Sequence, residues 1–149
     1  MAFAVQRLYK MGIEPFLIAY AINIIVAQRL IRTLCPKCKR AISKDELDRD
    51  MYLKFGFTEE DLDAHTIYEP VGCDACNGGY KGRAAIHEAL YFTREIRHII
   101  IKSGGDVDEE AIRKQAMKDG MWTLRRSGIE RVKEGSTTLE EIASATTDD

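Results

Sequence analysis

No stretch of this chain is long and apolar enough to read as a membrane-crossing helix. The longest uncharged run, PFLIAYAINIIVAQ from Pro15 to Gln28, has fourteen residues, short of the roughly 18–20 that a span requires. It also carries Asn23 and Gln28. Arg7, Lys10 and Glu14 interrupt the approach to it, so no secretory leader is readable. The expected location is cytoplasmic, with this run packed in a protein core. Long blocks of one charge are missing as well. The net charge is −2, and residues 1–34, 35–90 and 91–149 carry +3, −3 and −2. Nothing in the charge pattern points to a basic footprint for nucleic acid. Internal repeats and low-complexity segments are absent. So are the G-x-x-x-x-G-K-[ST], G-x-S-x-G and H-E-x-x-H patterns. GGYKGR has neither the spacing nor the Ser/Thr of a phosphate loop. His65, His87 and His98 are scattered. His87 and Glu88 are neighbours on an expected strand and so point to opposite faces. No catalytic residue is readable.

Cysteine is absent everywhere except in two pieces, LCPKCKRAIS and VGCDACNGGYKGR. These hold all four thiols, Cys35, Cys38, Cys73 and Cys76, as two C-x-x-C pairs. A tight turn between two cysteines points both sulfurs at one centre, and two such turns complete a tetrahedral Zn²⁺ shell. Pro36 stiffens the first turn, and Gly72, Gly78 and Gly79 free the backbone around the second. Lys37, Lys39 and Arg40 flank one pair, Lys81 and Arg83 the other, and nearby cations favour thiolate over thiol. The alternatives are two disulfides, which are rare in the cytosol, a redox C-x-x-C, which needs no second pair, and iron in place of zinc. CDACNGGYKG also half-matches the C-x-x-C-x-G-x-G module of one chaperone class, but CPKCKRAI does not match it. Structural zinc on these four residues is the reading adopted. Four sulfur ligands leave no open position for a catalytic water.

The chain of 149 residues, 45% apolar and 31% charged, suits one domain or a domain with a small insert. Its opening, MAFAVQRLYKMGIEPF, begins in mid-pattern and reads as a domain cut from a longer chain behind an initiator Met-Ala. A helix is expected over 2–11, stopped at Gly12. A second opens at Pro15, with Phe16, Leu17, Ala19 and Tyr20 turned to the core. Over 24–34 strand and helix remain rival readings; as a strand, Val26, Leu30 and Leu34 share a face. Between the cysteine pairs, Ser43 with Glu46 and Thr58 with Asp61 suggest two capped helices. Leu47, Met51, Leu53, Phe55, Phe57 and Leu62 would form a miniature core. A strand with Ala84, Ile86, Glu88 and Leu90 on one face follows. Four helices should close the chain, the first opened by Thr93, the second by Asp108, the third running as WTLRRSGIERVKE from Trp122 up to Gly135, and the fourth opened by Thr138 with Glu141. Gly104 and Gly105 should close the first of these, and Trp122 should pack among them.

The segments MGIEPFLIAYAINIIVAQRLIRTLCPKCK, YEPVGCDACNGGYKGRAAIHEAL and GMWTLRRSGIERVKEGSTTLEEI, in that order, resemble the C-terminal part of the bacterial secretion ATPases. These are the assembly motors of type II secretion and type IV pili. The resemblance implies a cytoplasmic hexameric motor, peripheral to the inner membrane, coupled to a platform protein there and to its neighbouring subunits. It places Cys35, Cys38, Cys73 and Cys76 at the family's zinc-binding tetracysteine. The family's nucleotide loop, acidic boxes and histidine box lie upstream of the residues present. ATP and magnesium would thus belong to the parent protein, and this fragment would be no enzyme by itself. CDACNGGYKGR is one residue shorter than the usual form, and Trp122 stands where a smaller residue is common. Retraction-type relatives lack the tetracysteine and join the flanking runs by a short turn, which implies a zinc insert at the tip of a β-hairpin. The expected fold is therefore α+β and mostly helical. Residues 1–34 would end the ATPase core, 35–76 form the zinc insert, and 77–149 supply the second strand and a helical bundle. The alternative is a free-standing zinc-ribbon adaptor for protein or nucleic acid, and the −3 charge of residues 35–90 argues against nucleic acid.

Overall fold

The computed structural model describes residues 2–104 and 106–146, and in them the chain is α+β with eight helices and two small sheets. The order is α1 (Ala2–Lys10), α2 (Pro15–Ala21), β1 (Ile24–Leu34), β2 (Arg40–Ala41), α3 (Arg49–Phe55), α4 (Glu59–Ala64), β3 (Tyr68–Glu69), β4 (Tyr80–Tyr91), α5 (Arg94–Lys102), α6 (Glu109–Lys118), α7 (Leu124–Lys133) and α8 (Leu139–Ala145). β1 pairs with β4 and β2 with β3. Phe92 N–H donates to Asn23 O at 2.9 Å and Cys35 N–H to Gly79 O at 2.8 Å, so β1 and β4 run antiparallel. Gly105, the second glycine expected to close α5, lies outside the described residues.

Two compact units share this chain, Met1–Ala27 with His87–Thr123, and Gln28–Ile86 with Leu124–Asp149. In the first, Val5, Ile18, Leu90, Ile96, Ile100 and Ile112 form the centre of a buried cluster. α2 begins with Pro15 in its first turn, where the missing N–H costs nothing. Its end is held by Arg97 of α5, whose guanidinium donates to Ala19 O, to Ile22 O at 3.2 Å and to Asn23 Oδ1 at 3.0 Å. Those bonds satisfy carbonyls that a helix end leaves without intrahelical partners. Only Ile18 and Ala19 of α2 are buried. The expectation that Phe16, Leu17 and Tyr20 turn to the core is corrected, since each is more than half exposed.

In the second unit, Ile31, Leu34, Tyr52, Phe57, Leu62, Ile67, Ile86, Ile129, Val132 and Ile142 are buried. β1 is a strand, and its inward face is largely the odd one. Ile31 is buried and Ile25, Ala27 and Thr33 are partly so, whereas Val26 and Leu30 are more than half exposed. Apolar side chains occur on both parities of this strand, so alternation alone gives no basis for choosing. Leu34 is buried because the strand's end meets another segment, Leu34 N–H donating to Ser136 O at 2.8 Å. The miniature core is also corrected. Tyr52 and Ile67 are buried there and Met51 is exposed. Ser43 does not cap α3. Its carbonyl accepts from Glu46 and Leu47 in a separate turn, and Asp48 caps the helix by accepting from Met51 N at 3.2 Å. Thr58 and Asp61 do form a reciprocal capping box on α4. Thr138 caps α8, but Glu141 turns away to Arg32, accepting from its backbone N–H at 3.0 Å and its Nε at 2.8 Å. A charge-assisted fork outcompetes a lone backbone donor. Trp122 is nearly half exposed instead of packed in a helical core.

Candidate metal centre

β1 delivers Cys35 to the end of the strand, where it is fully buried. The chain then turns on itself, with Cys38 N–H and Lys39 N–H both donating to Cys35 O at 3.3 and 3.0 Å. That turn carries the second thiol back over the first. The other pair repeats the geometry, Cys76 N–H donating to Cys73 O at 3.2 Å. The two turns meet because Cys35 N–H bonds Gly79 O, three residues past Cys76. All four Sγ atoms lie within 4.8 Å of one another. Cys35–Cys73 is 4.0 Å, Cys38–Cys76 3.7 Å and Cys73–Cys76 3.6 Å. Four sulfurs around a tetrahedral ion at about 2.3 Å stand about 3.8 Å apart. The thiols are free and not in disulfides.

Backbone N–H groups aim at the sulfurs. Gly72 N–H donates to Cys38 Sγ at 3.3 Å, and Cys73 N–H to Cys76 Sγ at 3.2 Å. Burial pushes the Cys38 thiol up to about 11, against the Gly72 bond. At Cys76 burial acts the same way but is outweighed by the N–H groups of Cys73 and Gly79, and its thiol falls to about 7. The N–H groups thus favour a thiolate at Cys76, while burial favours the thiol at Cys38. A divalent cation supplies the charge that lets all four ionise. Two of the flanking cations, Lys39 and Arg40, are engaged away from the sulfurs. Lys39 Nζ donates to Gly135 O at 2.7 Å and sits over the Tyr68 ring, while Arg40 Nε donates to Glu69 at 2.6 Å. Their role is to tie the cysteine-bracketed segment to its surroundings.

More ties run from that segment to α7 and α8. Lys133 Nζ pairs with Asp61 at 2.8 Å and Arg125 lies over the Phe55 ring, while from β4, just past the segment, the Tyr80 hydroxyl meets Thr138 Oγ1 at 3.0 Å. None of these partners has a local sequence signal, since each joins residues far apart in the chain. The histidines take no part in the cluster. Glu88 is buried and its neighbour His87 exposed, as strand alternation requires. Four soft sulfur donors with no nitrogen or oxygen ligand among them suit zinc or iron.

Residues 1–144 match the family described as "Type II/IV secretion system protein". The chain is 40% identical over 142 residues to the type IV pilus assembly ATPase PilB of Pseudomonas aeruginosa, covering 95% of this chain and 24% of that protein. It is 43% identical over 144 residues to PilB of Acinetobacter baylyi, covering 95% and 24%. Against type II secretion system protein E of Aeromonas hydrophila the identity is 37% over 147 residues, covering 98% and 28%. The chain spans about a quarter of the length of these relatives. With a family match that runs through nearly its whole length, this chain belongs to the type II/IV secretion system proteins.

Proposed function

We propose that this chain is the zinc-bearing, non-catalytic C-terminal portion of a hexameric ATPase that powers type II secretion or type IV pilus assembly. The observation that carries the reading is the convergence of the Cys35, Cys38, Cys73 and Cys76 sulfurs, all within 4.8 Å of one another and 3.6–4.0 Å apart in three of the pairs. It sits in a chain whose relatives are named as pilus assembly ATPases and secretion proteins. Zinc bound there would join the two ends of residues 35–76 and make them an insert at the tip of the β1–β4 hairpin. Its contribution is rigidity, so that the insert and α7–α8 act as one body in the motor. ATP and magnesium would be handled elsewhere in the parent protein. The exposed apolar residues of α2, Phe16, Leu17 and Tyr20, fit a face covered by the rest of that protein or by a neighbouring subunit. An inner-membrane platform protein would receive the force. Metal analysis of protein purified without added metal tests the reading, with about one equivalent of zinc per chain expected. A metal-free protein of unchanged fold, or two disulfides by mass, would overturn it.

A further inference from the structure

A groove of about 780 Å³ lies in the second unit between the β2–β3 ribbon and the first turns of α3 and α8. Its rim carries four carboxylates, Glu46, Asp48, Glu69 and Glu140, against one cation, Arg40. Arg40 is engaged, by Glu69 at 2.6 Å and by Glu46 at 3.5 Å. Asp48 is occupied as the α3 cap. Glu140 has no cation partner among the described residues. The lining includes exposed Met51, an adaptable apolar contact. It also includes Tyr52, which is only 5% exposed. The Tyr52 ring packs edge-on against Phe57 at 5.2 Å, but its hydroxyl has no hydrogen-bond partner among the described residues. Among the described residues only Arg125 Nε is both buried and unpaired, so the Tyr52 hydroxyl is reached by solvent from the groove it lines and can donate to an occupant there. Burial, followed by the charges of Glu140 and Glu69, pushes this phenol up to about 12, so it stays a donor at any ordinary pH.

We infer that this groove is a docking site for a basic, apolar peptide segment of a partner protein, with lysine or arginine side chains on the carboxylate rim and an apolar side chain on Met51. The Tyr52 hydroxyl would donate to a carbonyl of that segment. Charge decides between classes of occupant. An excess of three negative charges on the rim favours a cationic chain and repels nucleic acid and anionic lipid alike. The inference concerns a different surface from the thiol cluster and stands or falls separately from the ATPase assignment.

The test is an amide chemical-shift titration of the whole, zinc-loaded chain with a synthetic amphipathic lysine–leucine peptide. Controls are the same peptide with glutamate for lysine, and vesicles containing anionic lipid. Shifts should concentrate at residues 40–42, 46–52, 68–70 and 138–140. The glutamate peptide and the vesicles should not bind. Glu140→Lys, on the exposed first turn of α8, should weaken the lysine peptide roughly tenfold. Tyr52→Phe, which keeps the ring, should weaken it roughly three- to tenfold. Shifts confined to other residues, equal binding of the glutamate peptide, preference for vesicles, or two folded variants with unchanged affinity would each overturn the inference.

Discussion

At Gly79 the backbone has φ +91° and passes so near Pro70 that a Cβ would lie 2.4 Å from the proline Cβ and 2.9 Å from its Cα. The same residue accepts the Cys35 N–H and lowers the Cys76 thiol through its own N–H. Both cysteine turns therefore hang on one residue without a side chain. Gly79→Ala must relieve a backbone clash and adopt a left-handed conformation, which together should cost roughly 2–4 kcal/mol. Chemical denaturation of the zinc-loaded protein measures this, and competition with a chelator should show weakened metal retention. An alanine variant with wild-type midpoint and metal affinity would contradict the geometry. A second residue-scale prediction concerns Asp61, whose carboxyl is held down to about 2, first by the Lys133 hydrogen bond, with burial opposing it and the Thr58 cap assisting. A depressed carboxyl contributes stability above its unfolded value, near 4, and loses it as pH falls toward 2. The pair is mostly shielded, its side chains 15% and 21% exposed, so a coupling of about 1–2 kcal/mol is expected after allowance for screening. A double-mutant cycle with Asp61→Asn and Lys133→Met should give the same coupling at pH 7 and pH 5, both above the window. Decay between those values would mean the carboxyl is not depressed. At this scale the sequence exposed the four thiols, because a paired spacing is a local signal. It could not expose Lys39 on Gly135 or Arg125 on Phe55, because those partners lie 96 and 70 residues apart.

Helix starts at Thr58, Thr93, Asp108 and Thr138 were readable because a cap and its N–H donor are three residues apart. The face of β1 was not, because both of its faces carry apolar residues and only tertiary contact separates them. The same limit governs how far the metal's influence extends. Taken as an insert on its own, residues 36–75 would be expected to unfold alone when the metal is removed. The structure instead packs them against α7 and α8. A Cβ on Gly56 would lie 3.3 Å from Ile129 Cδ1, and one on Gly135 2.8 Å from the Tyr68 ring. Asp61 and Lys133 pair across the same contact. A segment of that size has too little core to persist without its metal, and its loss should uncover α7 and α8. Chelation, or Cys35→Ser with Cys38→Ser, should therefore raise amide exchange at residues 36–76 and at 124–145 together. Exchange at 96–100 and 110–117, which belong to the other compact unit, should stay slow. Fast exchange limited to 36–76 would mean that α7–α8 hold without the segment, and uniform loss would mean a single cooperative core.

For the whole chain the informative surface is one that looks wrong for an isolated domain. Phe16, Leu17 and Tyr20 of α2 are 61%, 55% and 59% exposed, and Met11 is 71% exposed. Phe16 and Tyr20 touch each other, ring centroids 4.7 Å apart, so they form a patch and not scattered apolar residues. The run PFLIAYAINIIVAQ was legible as apolar, but a sequence cannot say whether the partner that buries it is in the same chain. Contiguous exposed apolar surface of this kind marks an interaction site. Two consequences separate such a face from a misjudged core. With no phosphate loop of its own, the isolated chain should hydrolyse ATP no faster than a mock preparation, whatever the relatives do at full length. Activity that follows the chain through a second column would refute that. The patch itself makes the sharper claim. Replacing Phe16, Leu17 and Tyr20 together by Ser, Gln and Ser should reduce self-association of the chain in sedimentation while changing its unfolding free energy by less than about 1 kcal/mol, as expected for surface positions. Arg97 should continue to hold the carbonyls of Ala19 and Ile22, since its bonds are to the backbone. If the triple variant instead loses several kcal/mol, as large-to-small changes in a core do, α2 is packed through these side chains and the exposed face does not exist in solution.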